Sequence, residues 1–549
     1  MPRRLGIAAL ASLIVIAAAL VAVAPAGAGN GNQNGDNGNH NGQVDPHLRG
    51  IDHLVVIYEE NHSFDNLYGQ WPGVDGIASP TNATPNQTQV DQGGAPYACL
   101  KQNDPKLTSP PLAPTCNDPR GFTSAFTNQV FGIDNYVPQN QKTEDLVHRY
   151  YQEQYQVDGG KMDRFTTGSD AVGLTQGYYQ TTNLPVYQYL TGAGAPPSVV
   201  DDHFFHASFG GSFLNHQWLV AAQTPEFAGA LNDGSASDLH SVVDANGMPT
   251  SSPLYASPLG SKAKDKALTA SCTPPAGTPA NPSGVVCGDY AVNTIQPKSQ
   301  PFSPTSAPAG RLPLLSSSNI GDELNAKNVS WAWYSGGWDN AAGVTTGAGW
   351  TNGPTPGVCG DPNHNPADVY PYCSDKLFQY HHQPFNYFAN YAEGAPGRSH
   401  LQDEKDFLQQ AAGGALPAVS FVKPLGPENE HPGYTDVTSG EQHLVDLIKA
   451  VQAGPDWEHT AIVVTYDEHG GFWDHVPPPT AHGVSDQWGP GARVPTLVIS
   501  PLLQKTGVDH TQYDTTSILA TIENRWQLPP LGSRDASVHD LSGEFHPAH

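Results

Sequence analysis

Four short runs in this chain are apolar almost without interruption: HLVVIYEEN at 53–61, ALPAVSFVKP at 415–424, TAIVVTYDEHGG at 460–471 and VPTLVISP at 494–501. Each is rich in β-branched residues and bounded by turn-forming ones, the pattern of a strand. A strand with one wet face alternates apolar and polar residues. These runs do not alternate, so both of their faces are covered, as in a parallel sheet. VSWAWYSGG at 329–337 is a fifth run with a weaker pattern. Helical periodicity lies between them. In GEQHLVDLIKAVQAG, Leu444, Ile448 and Val451 share one face and Gly454 supplies a stop; TTSILATIENRWQ repeats the pattern near the C-terminus. Strands alternating with helices predict an α/β fold with a mostly parallel central sheet flanked by helices. Three stretches rich in Pro, Gly, Ser and Asn, near 79–120, 238–312 and 340–374, read as long loop insertions, because none has the apolar periodicity for a core of its own.

Two of the strands end in acids. The first runs into Glu59, Glu60 and Asn61, the second into Asp467, Glu468 and His469. Ligands of open α/β sheets sit beyond the carboxyl ends of the strands, so both tips would meet one site. One such tip is simply a helix cap. Two together make a set of hard oxygen donors suited to a divalent cation. Side chains alternate across a strand, so not every acid can reach the ion, and spacing alone does not say which do.

A third stretch, HASFGGSFLNHQWL, places Ser212 after two glycines at the start of a helical pattern, with Asn215 and His216 within one turn. A hydroxyl there gains from the positive end of a helix, and a nearby metal would lower its pKa and make it a nucleophile. The stretch lacks the GxSxG elbow of the common serine hydrolases. Among 23 histidines, His148, His381, His382, His431 and His475 lie in the most suggestive surroundings. Each alone is a packing histidine; together they offer hydrogen bonds to phosphate oxygens and an acid for a leaving group.

Charge narrows the partners. With 25 Lys+Arg against 52 Asp+Glu the net charge is −27, which excludes nucleic acid as a natural partner. The N-terminus reads as a basic MPRR, a long apolar core and a small-residue site at Ala26–Ala28, so residues 1–28 are expected to be a cleaved signal peptide. Residues 29–46, rich in Asn and Gly, would be a flexible linker. A single catalytic domain with the three insertions would fill 47–549. No later run has membrane-spanning length, so no stable membrane insertion is expected after cleavage. The expected destination is extracellular, periplasmic or the cell surface. Export permits disulfides, and the six cysteines fall into three neighbouring pairs whose simplest bonding is Cys99–Cys116, Cys272–Cys287 and Cys359–Cys373.

Seven motifs occur in order from Glu59 to Pro501: EENHSFDNLYG, GGKMDRF, GGSFLNH, YHHQPF, EHPGYTD, YDEHGGFWDHVPPP and RVPTLVISP. In this combination the chain resembles the phosphoesterase family of phosphatidylcholine-type phospholipases C and secreted acid phosphatases, which have an alkaline-phosphatase-like fold. The resemblance implies that Glu60, Asn61, Asp467 and Glu468, with Ser212, hold one divalent metal ion (Ca, Mg, Mn or Zn). It makes Ser212 the nucleophile and Asn215 a contact to the phosphoryl group. His382, His431 and His148 would line the pocket as catalytic residues. His216 stands where the family usually has a basic residue after Pro-Asn, a departure that touches substrate choice.

The expected activity is secreted, metal-dependent phosphoric-ester hydrolysis through a phosphoserine, on a phosphate-ester small molecule. Ser212 in place of Thr, and the lack of basic amphipathic segments, favour an acid phosphatase over a phospholipase C acting on a phospholipid head group. The alternative of another class is an inactive, metal-binding secreted protein. No Cys-x-Pro-x-Arg is present, which ranks a sulfatase lower.

Overall fold

Eight strands form one twisted sheet in the computed structural model, which describes residues 44–77, 84–102, 113–227, 243–260 and 290–547. In chain order they are β1 (His53–Glu59), β2 (Ser198–Asp201), β3 (Trp331–Ser335), β4 (Leu401–Asp403), β5 (Val419–Lys423), β6 (Thr460–Tyr466), β7 (Thr496–Ile499) and β8 (Gly507–Asp509). Their order across the sheet is β4-β3-β5-β1-β6-β7-β2-β8. All pairings are parallel except the two made by β7, which runs against both β6 and β2. The α/β class and the mostly parallel sheet are therefore as expected from the apolar runs.

All five runs become strands, and β1 and β6 occupy neighbouring central places. Every residue of β6 is buried, as is every residue of β1 after His53. The strands β2, β4 and β8 carry only three or four residues each. Segments that short show no periodicity, so no pattern announces them.

Helices cover both faces. The long helix α4 (Val437–Gln452) buries Leu444, Ile448 and Val451, as its periodicity predicts. It starts at Val437 because the Asp436 carboxylate caps it, accepting from Ser439 N at 2.9 Å. Helix α5 (Thr516–Trp526) forms from the second periodic stretch. Three more helices matter for the site or its surroundings: α1 (Tyr150–Val157), α2 (Ser212–Ala221) and α3 (Glu404–Gly413). Every residue of α2 is buried, so this helix is enclosed on all sides.

Cys99–Cys116 and Cys359–Cys373 are bonded as expected. The third expected pair, Cys272–Cys287, lies outside the described residues, as does the expected signal peptide. No helix among the described residues is long and apolar enough to cross a membrane.

Candidate active site

Strand register brings the two acidic tips together. Glu59 pairs with Tyr466 at the ends of β1 and β6, so the next residues, Glu60 and Asp467, leave the sheet side by side. The join is tied by Asp467 N donating to Glu59 O at 3.1 Å and Asn61 N donating to Asp467 Oδ1 at 3.4 Å. Asn61 takes a left-handed backbone, φ 61°, and a Cβ on Gly470 would collide with its carbonyl, so the second tip must turn through a glycine there. Glu60, Asn61, Asp467 and Glu468 are all fully buried.

The serine turn arrives from the next layer. Gly211, extended at φ −97°, precedes α2, and Ser212 is the first helical residue. Its Oγ donates to Glu60 Oε2 at 3.3 Å. Both functional atoms of Asn215 are taken by the turn itself. Its Oδ1 accepts from Ser208 N at 2.9 Å, and its Nδ2 donates to the carbonyls of Ser208, Gly210 and Gly211 at 3.0–3.3 Å. In this conformation Asn215 shapes the turn that carries Ser212; reaching a phosphoryl group would require it to release those bonds.

Histidines close the remaining sides. His382 Nε2 lies 3.1 Å from Glu60 Oε1, and His431 Nε2 lies 4.0 Å from Glu60 Oε2. His148 donates through Nδ1 to Leu146 O at 2.5 Å, which leaves Nε2 to accept from Asn61 Nδ2 at 3.4 Å. That bond engages the Asn61 amide nitrogen, while Oδ1 has no hydrogen-bond partner among the described residues. His216, which donates from Nδ1 to Ser212 O at 2.7 Å, stacks on His382 at 4.9 Å with planes 5° apart. A cavity of about 460 Å³ opens over this group, and Asp145, His148, Ser212, His381, His431 and Tyr434 are among its walls.

The phosphoesterase family model matches residues 51–529. The chain belongs to the phosphoesterase family. Similar curated proteins include "Phospholipase C B" of Mycobacterium tuberculosis, 35% identical over 165 residues, covering 26% of this chain and 32% of that protein. "Non-specific phospholipase C6" of Arabidopsis thaliana is 34% identical over 167 residues, covering 25% and 32%. "Non-hemolytic phospholipase C" of Burkholderia pseudomallei is 30% identical over 244 residues, covering 37% and 31%. The aligned part thus spans about a third of these relatives. Among solved structures, an alkaline phosphatase superfamily protein from Vibrio parahaemolyticus shares 12% identity over 45% of this chain and 56% of that one, with a TM-score of 0.22. A likeness at that level carries no argument; the sheet itself establishes the α/β architecture.

The candidate site crowds buried acids together. Burial, with mutual repulsion around Asp467, pushes the carboxyls of Glu60 and Glu468 well above the usual range, and burial raises Asp467. Asn61 Oδ1, Asp467 Oδ2, Glu468 Oε1 and His216 Nε2 have no hydrogen-bond partner among the described residues. Orphaned buried oxygens that come with excess negative charge fit a hard divalent cation. Glu60, His216 and His382 also offer ligand atoms within 4.8 Å of one another. The two rings lie stacked in nearly parallel planes, however, so their in-plane lone pairs do not converge on one ion.

An ammonium sits among these acids that sequence reasoning missed. Lys423, the last residue of β5, is buried; it ion-pairs with Glu60 and donates to the carbonyls of Tyr58 and Glu59 at 2.9 and 3.2 Å. Its only advance signal is a Lys closing an otherwise apolar strand, in AVSFVKP.

Glu59 answers to different neighbours. Alternation sends it to the opposite face from Glu60, toward Glu441 of α4 and Glu430. Burial raises Glu59 to about 8 despite the attraction of Lys423. A raised acid is stable in its neutral form, so its cost to the fold accumulates as pH climbs from the ordinary 4.5 to about 8. Glu59→Gln is therefore expected to raise the melting temperature at about pH 8.5 and to leave it unchanged near about pH 4, measured by thermal unfolding at both.

The Arg of RVPTLVISP and the second His of YDEHGGFWDHVPPP are structural. Arg493 is fully buried; Nε donates to Asp474 at 2.8 Å and Nη2 to Asp65 at 3.1 Å. His475 joins them, 2.7 Å from Asp65 and 3.2 Å from Asp75. Burial alone would lower His475, but Asp65 above all, with Asp75 and Asp474, raises it to about 10. A raised base stabilises fully below its ordinary 6.5 and loses that contribution as pH rises through about 10. His475→Gln should lower the melting temperature strongly at about pH 6 and little at about pH 10.5.

Proposed function

We propose that this phosphoesterase is a secreted, metal-dependent phosphoric-ester hydrolase that acts on phosphomonoesters through a phosphoserine at Ser212. The observation that carries the reading is the Ser212 hydroxyl, set at the N-terminus of a buried helix and bonded to Glu60 amid unpartnered oxygen donors. Glu60, Asn61, Asp467 and Glu468, beside Ser212, would hold one divalent ion, which when bound lowers the hydroxyl pKa and draws charge from the phosphoryl oxygens. The hydrogen bond to Glu60 aims the Ser212 oxygen and takes up its proton as that oxygen attacks phosphorus and displaces the leaving oxygen opposite it. The bond to the Ser212 oxygen forms as the ester P–O bond breaks. Water then attacks the phosphoserine, restoring the hydroxyl and releasing phosphate.

His431 suits the acid that protonates the leaving oxygen. Its Nδ1 lies 2.6 Å from Pro432 O and donates to it, which leaves Nε2 toward the pocket. Burial pulls this imidazole well below its usual range, so its protonated form needs acid or a bound phosphate anion. That dependence agrees with an acid optimum. His382 is committed to Glu60 and His148 to Asn61, so both serve better as supports. The cavity wall has one large aromatic, Tyr434, already stacked on His431 at 3.8 Å, and no cage for a quaternary ammonium among the described residues. This supports a monoester over a phosphocholine diester. The diester reading rests on the names of the phospholipase C relatives.

Secretion rests on the N-terminal signal pattern and on two disulfides, which persist in oxidising compartments. The test is hydrolysis of 4-nitrophenyl phosphate from acid to alkaline pH, with and without a chelator. Activity that a chelator abolishes and divalent ions restore supports the proposal. No hydrolysis of the monoester alongside turnover of a phosphocholine diester would replace it with phospholipase C. No turnover of either, with a divalent ion still bound, would leave the inactive binding protein.

A further inference from the structure

A second group of charged side chains is sealed behind the serine turn, and the proposed mechanism makes no use of it. Glu153, on α1, is fully buried with His206 and His469. One of its oxygens, Oε2, accepts from Gly210 N at 2.6 Å. The other, Oε1, accepts from Ala492 N at 3.0 Å and faces His206 Nε2 at 2.9 Å. His206 Nδ1 in turn faces Ser208 O at 2.8 Å. Both ring nitrogens of His206 thus face oxygen atoms. The two side chains together grip the chain at Ser208 and at Gly210.

Gly210 cannot be replaced in this arrangement. Its φ is +96°, and a Cβ there would collide with the backbone of Tyr150. The turn is held by Asn215 from within, by Trp488 O, which accepts from Phe209 N at 2.7 Å and Ser208 Oγ at 3.0 Å, and at Gly210 N by Glu153. Burial would push the Glu153 carboxyl up, yet His206, His469 and the Gly210 N–H outweigh it and bring it down to about 2, so it stays a carboxylate.

A cation is the rival occupant, since Glu153, His206 and His469 offer atoms within 4.8 Å of one another. The two imidazoles are stacked with planes 5° apart, so their lone pairs do not meet at one point.

We propose that Glu153, paired with His206, is a positioning residue that holds the turn at 208–212 and so keeps the Ser212 hydroxyl in its attacking place. The kinetic consequence rests on Ser212 being the nucleophile. The grip on the turn does not. In Glu153→Gln one accepting oxygen becomes an NH₂ group that must oppose a backbone N–H, either Gly210 or Ala492.

The experiment compares the full-length wild type, Glu153→Gln, His206→Asn and the double variant by two readouts. For 4-nitrophenyl phosphate, each single variant should lower kcat by about 10- to 100-fold with KM changed by less than about threefold, because the loss is one of alignment. The double variant should be no worse than the poorer single one, since both residues act through one turn. By amide hydrogen exchange, peptides covering 208–214 should exchange faster in the variants while those of the central strands do not.

Unchanged kcat with unchanged exchange at 208–214 overturns the proposal. Faster exchange throughout the chain overturns it too, since that is a general loss of stability. If the wild type hydrolyses no phosphate ester, the proposed function fails, and exchange alone then decides whether the strut holds the turn. Should Glu153→Gln not fold, His206→Asn removes the other half of the pair and decides the matter by the same two readouts. Stoichiometric metal bound at this group, lost in Glu153→Gln, would replace the strut with a cation site.

Discussion

Ser212→Ala is expected to lower kcat for 4-nitrophenyl phosphate by about 10³-fold or more, with divalent binding and the fold retained. The hydroxyl donates to Glu60, so its loss costs about 1 kcal/mol of stability. The helix start does not depend on that side chain, because Gly211 is the cap and no side chain caps α2. Loss of phosphoserine trapping on rapid acid quench, with a normal circular dichroism spectrum, separates a missing nucleophile from a missing fold. A variant that keeps more than a tenth of wild-type kcat would show that water, not Ser212, attacks phosphorus.

Asp467→Asn should push stability and activity in opposite directions. Asp467 lies buried beside Glu60 and Glu468, and burial raises its carboxyl. A raised acid costs the fold more as pH increases through the folded value, so removing the charge is expected to raise the melting temperature of the metal-free protein at alkaline pH. The same change deletes a hard anionic ligand. The wild type should gain about 2.7 kcal/mol from a divalent ion supplied at about 100 times its Kd, and the variant close to none. Its kcat should fall by at least about 10²-fold. Thermal unfolding with and without the ion, beside steady-state rates, checks both signs. A variant that is less stable without metal and equally stabilised by it would remove Asp467 from the ligand set.

Much of the frame is legible in the chain because it depends on local pattern. The continuous apolar runs can only be strands covered on both faces, and all of them are. The neighbouring cysteines bond within their pairs wherever they are described. Motif order from Glu59 to Pro501 already pointed to the phosphoesterase family, whose model matches residues 51–529.

The site was legible only in outline. Two acids in a row at a strand tip announce a question, since alternation sends them to opposite faces. Which one meets Asp467 is decided by the register of β1 against β6, a long-range pairing that no local window contains. The same holds for Lys423, whose ammonium reaches Glu60 only because β5 lies beside β1. Asn215 shows the limit from the other side. Its spacing from Ser212 places it in the first turn of the helix, yet the curl of the preceding loop takes up both ends of its carboxamide.

The sequence by itself determined the class of fold, the strands and helices that carry the chemistry, and the family. Each follows from periodicity, turn chemistry or motif order, which act over a few residues. Only the tertiary structure decided which acid faces the pocket, which cation offsets the acids, and that Glu153 and His206 stand behind the serine turn. Those are contacts between segments tens to hundreds of residues apart, and they arise from packing in three dimensions.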